Sequence, residues 1–255
     1  LNKLEILELN DNNFGSIPNC FHYTSFPKLT VLDLTSNRLT NLANNFHSLN
    51  LTSLYLKNNK LGNKPSDYNN LIINNNGNTI SNRENETHLN TMKQIFWYMP
   101  YLNQLDLSYN DFQKVDVTIC GTTIKRIDLS HNKIRDIPRC SIDEAIPKIN
   151  TINLAYNKIT SIENMENYTN IFHFDISHNL LSNEPCYPIR SFNTIERLDC
   201  SYNNFNPTGI QNISFVFFNK LRNNLIHLKL ESCNFKGPLT VFSNLNAIQS
   251  MSLSN

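Results

Sequence analysis

Residues 127–140 read IDLSHNKIRDIPRC, which places Asp128, His131 and Cys140 within one short stretch. Taken alone, the trio suggests an acid–base pair beside a nucleophile, or a metal site. The phrase recurs, however, as LDLTSNRL from Leu32, LDLSYNDF from Leu105, INLAYNKI from Ile152, FDISHNLL from Phe174 and LDCSYNNF from Leu198. Self-similarity at a fixed period outranks a local cluster as a guide to architecture. The trio belongs to one copy of a repeat.

The full phrase is L-x-x-L-x-L-x-x-N-x-L, with Ile, Phe, Met or Cys standing in for Leu. Copies begin at Leu4, Leu29, Leu51, Leu102, Ile124, Ile149, Ile171, Ile195, Leu225 and Ile248, at spacings of 25, 22, 51, 22, 25, 22, 24, 30 and 23 residues. Every copy is apolar at the first, fourth and sixth positions, in a chain that is 40% hydrophobic. L-x-L is the alternation of a strand with one buried face. A coil this short cannot bury its apolar row alone and must stack on copies of itself. The ninth position holds Asn12, Asn37, Asn59, Asn110, Asn132, Asn157, Asn179 and Asn203, with Cys233 in the ninth copy. An Asn side chain has two donors and an acceptor, enough to satisfy backbone groups of its own and the adjacent coil where the chain leaves the strand.

On these residues the chain resembles leucine-rich repeat proteins over nearly its whole length. The resemblance implies an α/β solenoid, or horseshoe, with a concave parallel sheet and a convex side of helical turns and loops. It implies one domain over residues 1–255, of about ten to eleven repeats. Copies continuing as x-I-P-x-C-F and leading into S-F-P-K-L or W-Y-M-P-Y-L are similar to the class common in extracellular repeats, including the Toll-like receptors. Two others, NNFGSIP and CNFKGPL, look more like the plant-type or amoebal variant.

Residues 62–101 interrupt the period. A degenerate copy is expected at Tyr68-x-x-Leu71-x-Ile73-x-x-Asn76, followed by a helix with Leu89, Met92, Ile95, Phe96 and Met99 on one face and Pro100 at its end. The segment is either a convex-side helix packed on the core or a protruding loop that meets a partner. A second convex helix is expected through Ile210, Ile213, Phe217 and Leu221.

A formal net charge of +1 makes no case for nucleic acid, and no apolar run is long enough to span a bilayer. The first and last copies are cut short, so the chain reads as an excerpt of a longer protein, with any membrane attachment in flanking segments. The six cysteines show neither a C-x-x-C pair nor zinc-site spacing, and Cys200 and Cys233 occupy repeat positions. A bridge between Cys120 and Cys140, in adjacent copies, is a candidate disulfide. Glycosylation sequons stand at Asn50, Asn85, Asn167 and Asn212, although asparagine is abundant throughout.

The positions between the leucines face away from the core and are free to serve a ligand. One column runs Glu8, Asp33, Tyr55, Asp106, Asp128, Asn153, Asp175, Asp199 and Lys229. The position before the asparagine gives Tyr109, His131, Tyr156, His178 and Tyr202 in five successive copies, and a third column gives Gln104, Arg126, Thr151, His173 and Arg197. No nucleophile recurs beside the Asp and His, and rungs two copies apart are about 10 Å apart, too far to share a metal. No catalytic residue, metal or cofactor is therefore expected. The Tyr/His stripe flanked by carboxylates is expected to contact a protein or peptide ligand, or else to shield the strand ends. Its histidines would make binding sensitive to pH between about 5 and 7. The expected setting is the ectodomain of a signal-transducing receptor at the cell surface; the alternative is a cytoplasmic scaffold or regulatory subunit.

Overall fold

The computed structural model describes residues 1–17, 21, 24–40, 42, 50–62, 72–73, 79–80, 99–114, 122–137, 147–182, 194–205, 221–234 and 239–254. Its strands, in chain order, are β1 (Ile6–Glu8), β2 (Val31–Asp33), β3 (Ser53–Tyr55), β4 (Ile72–Ile73), β5 (Thr79–Ile80), β6 (Gln104–Asp106), β7 (Arg126–Asp128), β8 (Thr151–Asn153), β9 (His173–Asp175), β10 (Arg197–Asp199), β11 (His227–Lys229) and β12 (Ser250–Ser252). All but β4 and β5 form one ten-stranded parallel sheet in the order of the chain. Each three-residue strand falls on the x-L-x of its repeat. The central residue is buried in every three-residue strand from β2 to β11, and the residues on either side are not.

The core is one continuous stack. Leu105, Ile127, Ile152, Phe174, Leu198 and Leu228 lie in register across β6 to β11. With the first- and sixth-position residues they form a single buried cluster, in which each large apolar side chain contributes about 1.5–3 kcal/mol. In the outermost coils Leu4, Leu7, Leu9, Ile248 and Leu253 are only partly buried, each coil having a single neighbour.

The repeat asparagines bind the coils together. Asn132 Nδ2 donates to Leu129 O at 3.0 Å and Ser130 O at 3.1 Å in its own coil, and to Leu107 O at 2.9 Å in the coil before. Its Oδ1 accepts the Phe112 N–H at 3.0 Å. Asn37, Asn59, Asn110, Asn157, Asn179 and Asn203 each reach into the preceding coil in the same way. Leaving one such buried group unsatisfied costs about 1–3 kcal/mol, so the asparagine ladder rivals the leucines in holding the stack. Cys233 retains the donor half of the role, its Sγ donating to Cys200 O at 3.2 Å and Glu231 O at 3.3 Å.

Two expectations concern the rest of the chain. First, Ile72 and Ile73, the described residues of the copy expected at Tyr68–Asn76, do not join the parallel sheet, and the other residues of that copy lie outside the described residues. β3 pairs directly with β6, Leu54 against Leu105, while Ile72 and Ile73 pair antiparallel with Ile80 and Thr79. The coils on either side are in full contact: Asn110 Nδ2 donates to Leu56 O at 2.9 Å, and a Cβ on Gly62 (φ +81°) would lie 2.8 Å from Phe112 N.

Second, the described convex side carries little helix: Leu221 is α-helical and the remaining helical turns are 3-10. The return path from β8 to β9, described throughout, buries Ile159, Ile162, Met165, Tyr168 and Ile171, one residue in every three. That is the period of a 3-10 helix, and Glu163–Met165 is a 3-10 turn with i→i+3 bonds from Met165 N to Ile162 O and from Tyr168 N to Met165 O, both 3.0 Å. Leu239–Phe242 is a second 3-10 turn. Of the two helices expected on sequence grounds, only Met99 and Leu221 among the residues on their apolar faces fall within the described residues, and both are buried.

Candidate ligand-binding face

Strand register turns the sequence columns into physical rows. Gln104, Arg126, Thr151, His173, Arg197 and His227 follow one another across β6 to β11, as do Asp106, Asp128, Asn153, Asp175, Asp199 and Lys229, with Tyr55 beside Asp106. The residues expected at a ligand face thus lie on one face of the sheet and along the row just beyond it.

That third row is a stack of rings. Tyr109, His131, Tyr156, His178 and Tyr202 lie face to face, with successive centroids 3.9, 4.1, 3.9 and 4.0 Å apart and ring planes within 13° of parallel. Their position comes from the backbone: all five take left-handed conformations, with φ between 52° and 56°. This costs a non-glycine residue about 1–2 kcal/mol. Two gains offset it. Each backbone N–H donates to the next coil, as from His131 N to Ala155 O at 2.9 Å, and each ring pair adds about 0.5–1.5 kcal/mol. The rings are closer than the strands, which run about 4.7–4.9 Å apart. The contraction and the 10–13° between planes both follow if each coil rotates on the last with the rings inside the bend. Ring faces are thereby buried on one another. The edges remain outside, and Tyr109, Tyr156 and Tyr202 are each 45–46% exposed. Lys57, not singled out by the sequence, covers the end of the stack with its Nζ 5.3 Å from the Tyr109 centroid. Burial among the rings lowers the pKa of His131; nearby Asp128 opposes this, while His178 and Lys57 add to it.

The aspartates of the acidic row are engaged locally: each accepts the backbone N–H two residues on and closes the turn that leaves the strand. Asp106 Oδ1 takes Ser108 N at 2.9 Å and Ser108 Oγ at 2.7 Å, and Asp128 Oδ1 takes Ser130 N and Oγ at the same two distances. Asp175 and Asp199 accept from Ser177 N at 2.9 Å and Ser201 N at 3.0 Å, and Asn153 Oδ1 from Ala155 N at 3.0 Å. The outer oxygens of two are occupied as well: Asp128 Oδ2 accepts from Asn153 Nδ2 at 3.0 Å, and Asp199 Oδ2 is 3.4 Å from Lys229 Nζ. Burial raises the pKa of Asp106 and Asp175. The legible signal was D-x-[S/T], present at Asp33, Asp106, Asp128, Asp175 and Asp199.

Among the described residues no three His, Cys, Asp or Glu side chains converge as metal ligands. Cys200 and Cys233 are buried free thiols; burial pushes Cys200 well up and Cys233 to about 11, so neither is a nucleophile at neutral pH. Cys120, Cys140, Asn85 and Asn212 lie outside the described residues. Asn50 is exposed, and Asn167 is half-buried beside the fully buried Tyr168.

Two sequence profiles of leucine-rich repeats match the chain, one over residues 3–23 and the other over 27–42 and 122–137. No curated protein matches it by sequence. Solved structures similar to it include an internalin of Listeria monocytogenes, 16% identical with a TM-score of 0.69 over 99% of this chain and 62% of that one. A leucine-rich repeat protein of Leptospira interrogans is 20% identical, with a TM-score of 0.68 over 100% and 64%. A chain of the LRIM1/APL1C complex is 20% identical, with a TM-score of 0.65 over 98% and 39%. The chain spans less than two thirds of each, and at these identities the likeness is one of fold.

Proposed function

Taking as premise that this chain is a leucine-rich repeat protein, we propose that it is a protein-recognition module whose partner docks on the sheet face and ring edges of β6 to β10. The observation that carries this reading is the five-ring stack. Its side chains are held by backbone conformation and by one another, so a partner meets tyrosine and histidine edges whose rotamer freedom is already spent. Tyrosine edges of this kind, apolar body with polar tip, suit protein interfaces. Among the described residues no convergent metal set stands beside them, and the Ser108 and Ser130 hydroxyls there are held by Asp106 and Asp128 in the strand-exit turns, which favours binding over catalysis. The structural neighbour drawn from the LRIM1/APL1C complex is itself part of a protein–protein assembly.

We place the module at the cell surface, in a receptor-type ectodomain, on the extracellular style of its repeats and the exposed sequon at Asn50. The cytoplasmic scaffold remains a second reading, favoured by the two buried free thiols, which suit a reducing compartment.

The test replaces Tyr109, Tyr156 and Tyr202 together by Ser, the residue that Ser36 and Ser232 already supply at this position with the same left-handed backbone. The wild-type chain is used to isolate a partner, and the triple variant is compared with a control changed at the convex residues Glu163 and Asn164. Loss of that partner from the ring variant alone is expected. Equal capture by both variants would move the interface off this face.

A further inference from the structure

Arg126 and Arg197 stand on the sheet face at the leading edges of β7 and β10, exposed to solvent. Each has a carboxylate two residues on in its own strand, yet among the described residues the only ion pairs are Lys133 with Asp111 and Lys229 with Asp199. The reason is the turn: Asp128 and Asp199 point their oxygens at Ser130, Asn153, Ser201 and Lys229. The arginines are left with unmatched guanidinium groups, in a row that continues through Thr151 and His173 between them to His227.

Their separation has a natural complement. β7 and β10 are three strand steps apart, about 14 Å at the usual spacing. An extended peptide laid across the strands covers about 13.5 Å in four residues, and side chains four apart face the same way. We infer that the row from Arg126 to Arg197 is a docking track for an extended acidic segment of a protein partner, with carboxylates at positions i and i+4 on the two guanidinium groups. The residue at i+2 then falls between Thr151 and His173. Planar guanidinium forks take carboxylates in bidentate fashion, which fixes register as well as attraction. A nucleic-acid strand fits less well. Its charges recur every few ångströms without a break, and the acidic row two residues along each strand would repel most of them. Isolated carboxylates on one face of a peptide meet the arginines and avoid that row.

The inference rests on the sheet face being the binding face, but its test is separate. The probes are fluorescent nine-residue peptides of Thr and Ser carrying two Glu four residues apart, two Glu three residues apart, or two Gln four residues apart, together with a twelve-nucleotide oligothymidine. Binding to the whole chain is read by fluorescence anisotropy at low salt. The i,i+4 diglutamate peptide is expected to bind best, and Arg126→Gln and Arg197→Gln are each expected to weaken it about fivefold, the scale of one exposed ion pair. Equal binding of the two diglutamate spacings, no loss in either variant, or no binding up to millimolar peptide would overturn the track. Tighter, arginine-dependent binding of the oligonucleotide would overturn it in favour of a phosphate site. If partner capture survives the ring variant, the broader reading fails; if capture behaves as expected but the peptide does not bind, this inference alone fails.

Discussion

Burial raises the pKa of Asp175, whereas Asn153 in the adjacent strand makes the same turn hydrogen bond without a charge. A carboxyl group whose folded pKa lies above its unfolded value binds its proton more readily when folded. Its ionised form therefore opposes folding at neutral pH, and the penalty fades as pH falls through the raised pKa. Asp175→Asn keeps the acceptor for Ser177 and removes the buried charge. Urea unfolding should show a more stable protein at pH 7 and a smaller gain at pH 4.5. An equal gain at both values, or a loss, would disprove the electrostatic account. The same residue shows where sequence reading stopped. Alternation alone assigns Asp175 to an outward position, and from there a ligand role looks natural. The hydroxyl residue two places on already pointed to a turn, a local hydrogen bond that alternation does not register.

The ring stack was legible as a column of Tyr and His, because the period fixes which residues neighbour one another across strands. What the column does not carry is the left-handed backbone and the contraction that brings centroids to about 4 Å, since both arise from coil rotation in three dimensions. A measurable consequence concerns His131. Held between Tyr109 and Tyr156, its imidazole is expected to titrate below its ordinary 6.5. In an NMR titration the midpoint should rise when both tyrosines are changed to Ser, which opens the ring to water. A midpoint at or above 6.5 in the wild type would show that the ring faces favour the cation more than burial disfavours it. On the convex side Ile159, Ile162, Met165, Tyr168 and Ile171 spell a three-residue period, the local signal for the 3-10 turn at Glu163–Met165, while the two longer helices expected there fall almost wholly outside the described residues.

At the scale of the molecule, the parallel sheet and its asparagine ladder were readable because every contact is between equivalent positions of neighbouring repeats. The interruption was not. In an asparagine-rich chain a pattern such as Tyr68-x-x-Leu71-x-Ile73-x-x-Asn76 arises readily, and Ile73, at its core position, pairs with Thr79 and not with the sheet. The structure instead joins β3 to β6 as though nothing intervened: Asn103 N donates to Thr52 O at 2.9 Å, Leu61 N to Asn110 Oδ1 at 3.0 Å and Asn58 N to Ser108 O at 2.9 Å. All of these bonds lie outside residues 63–98. A protease site introduced between Gly62 and Met99 and then cut should leave two pieces that elute together from a sizing column and separate only in denaturant. Separation in buffer would mean that the connection itself holds the coils. If they stay together, the solenoid is a two-piece assembly that happens to be encoded as one chain. The junction then behaves as a subunit interface, and the tether between its halves supplies only effective concentration.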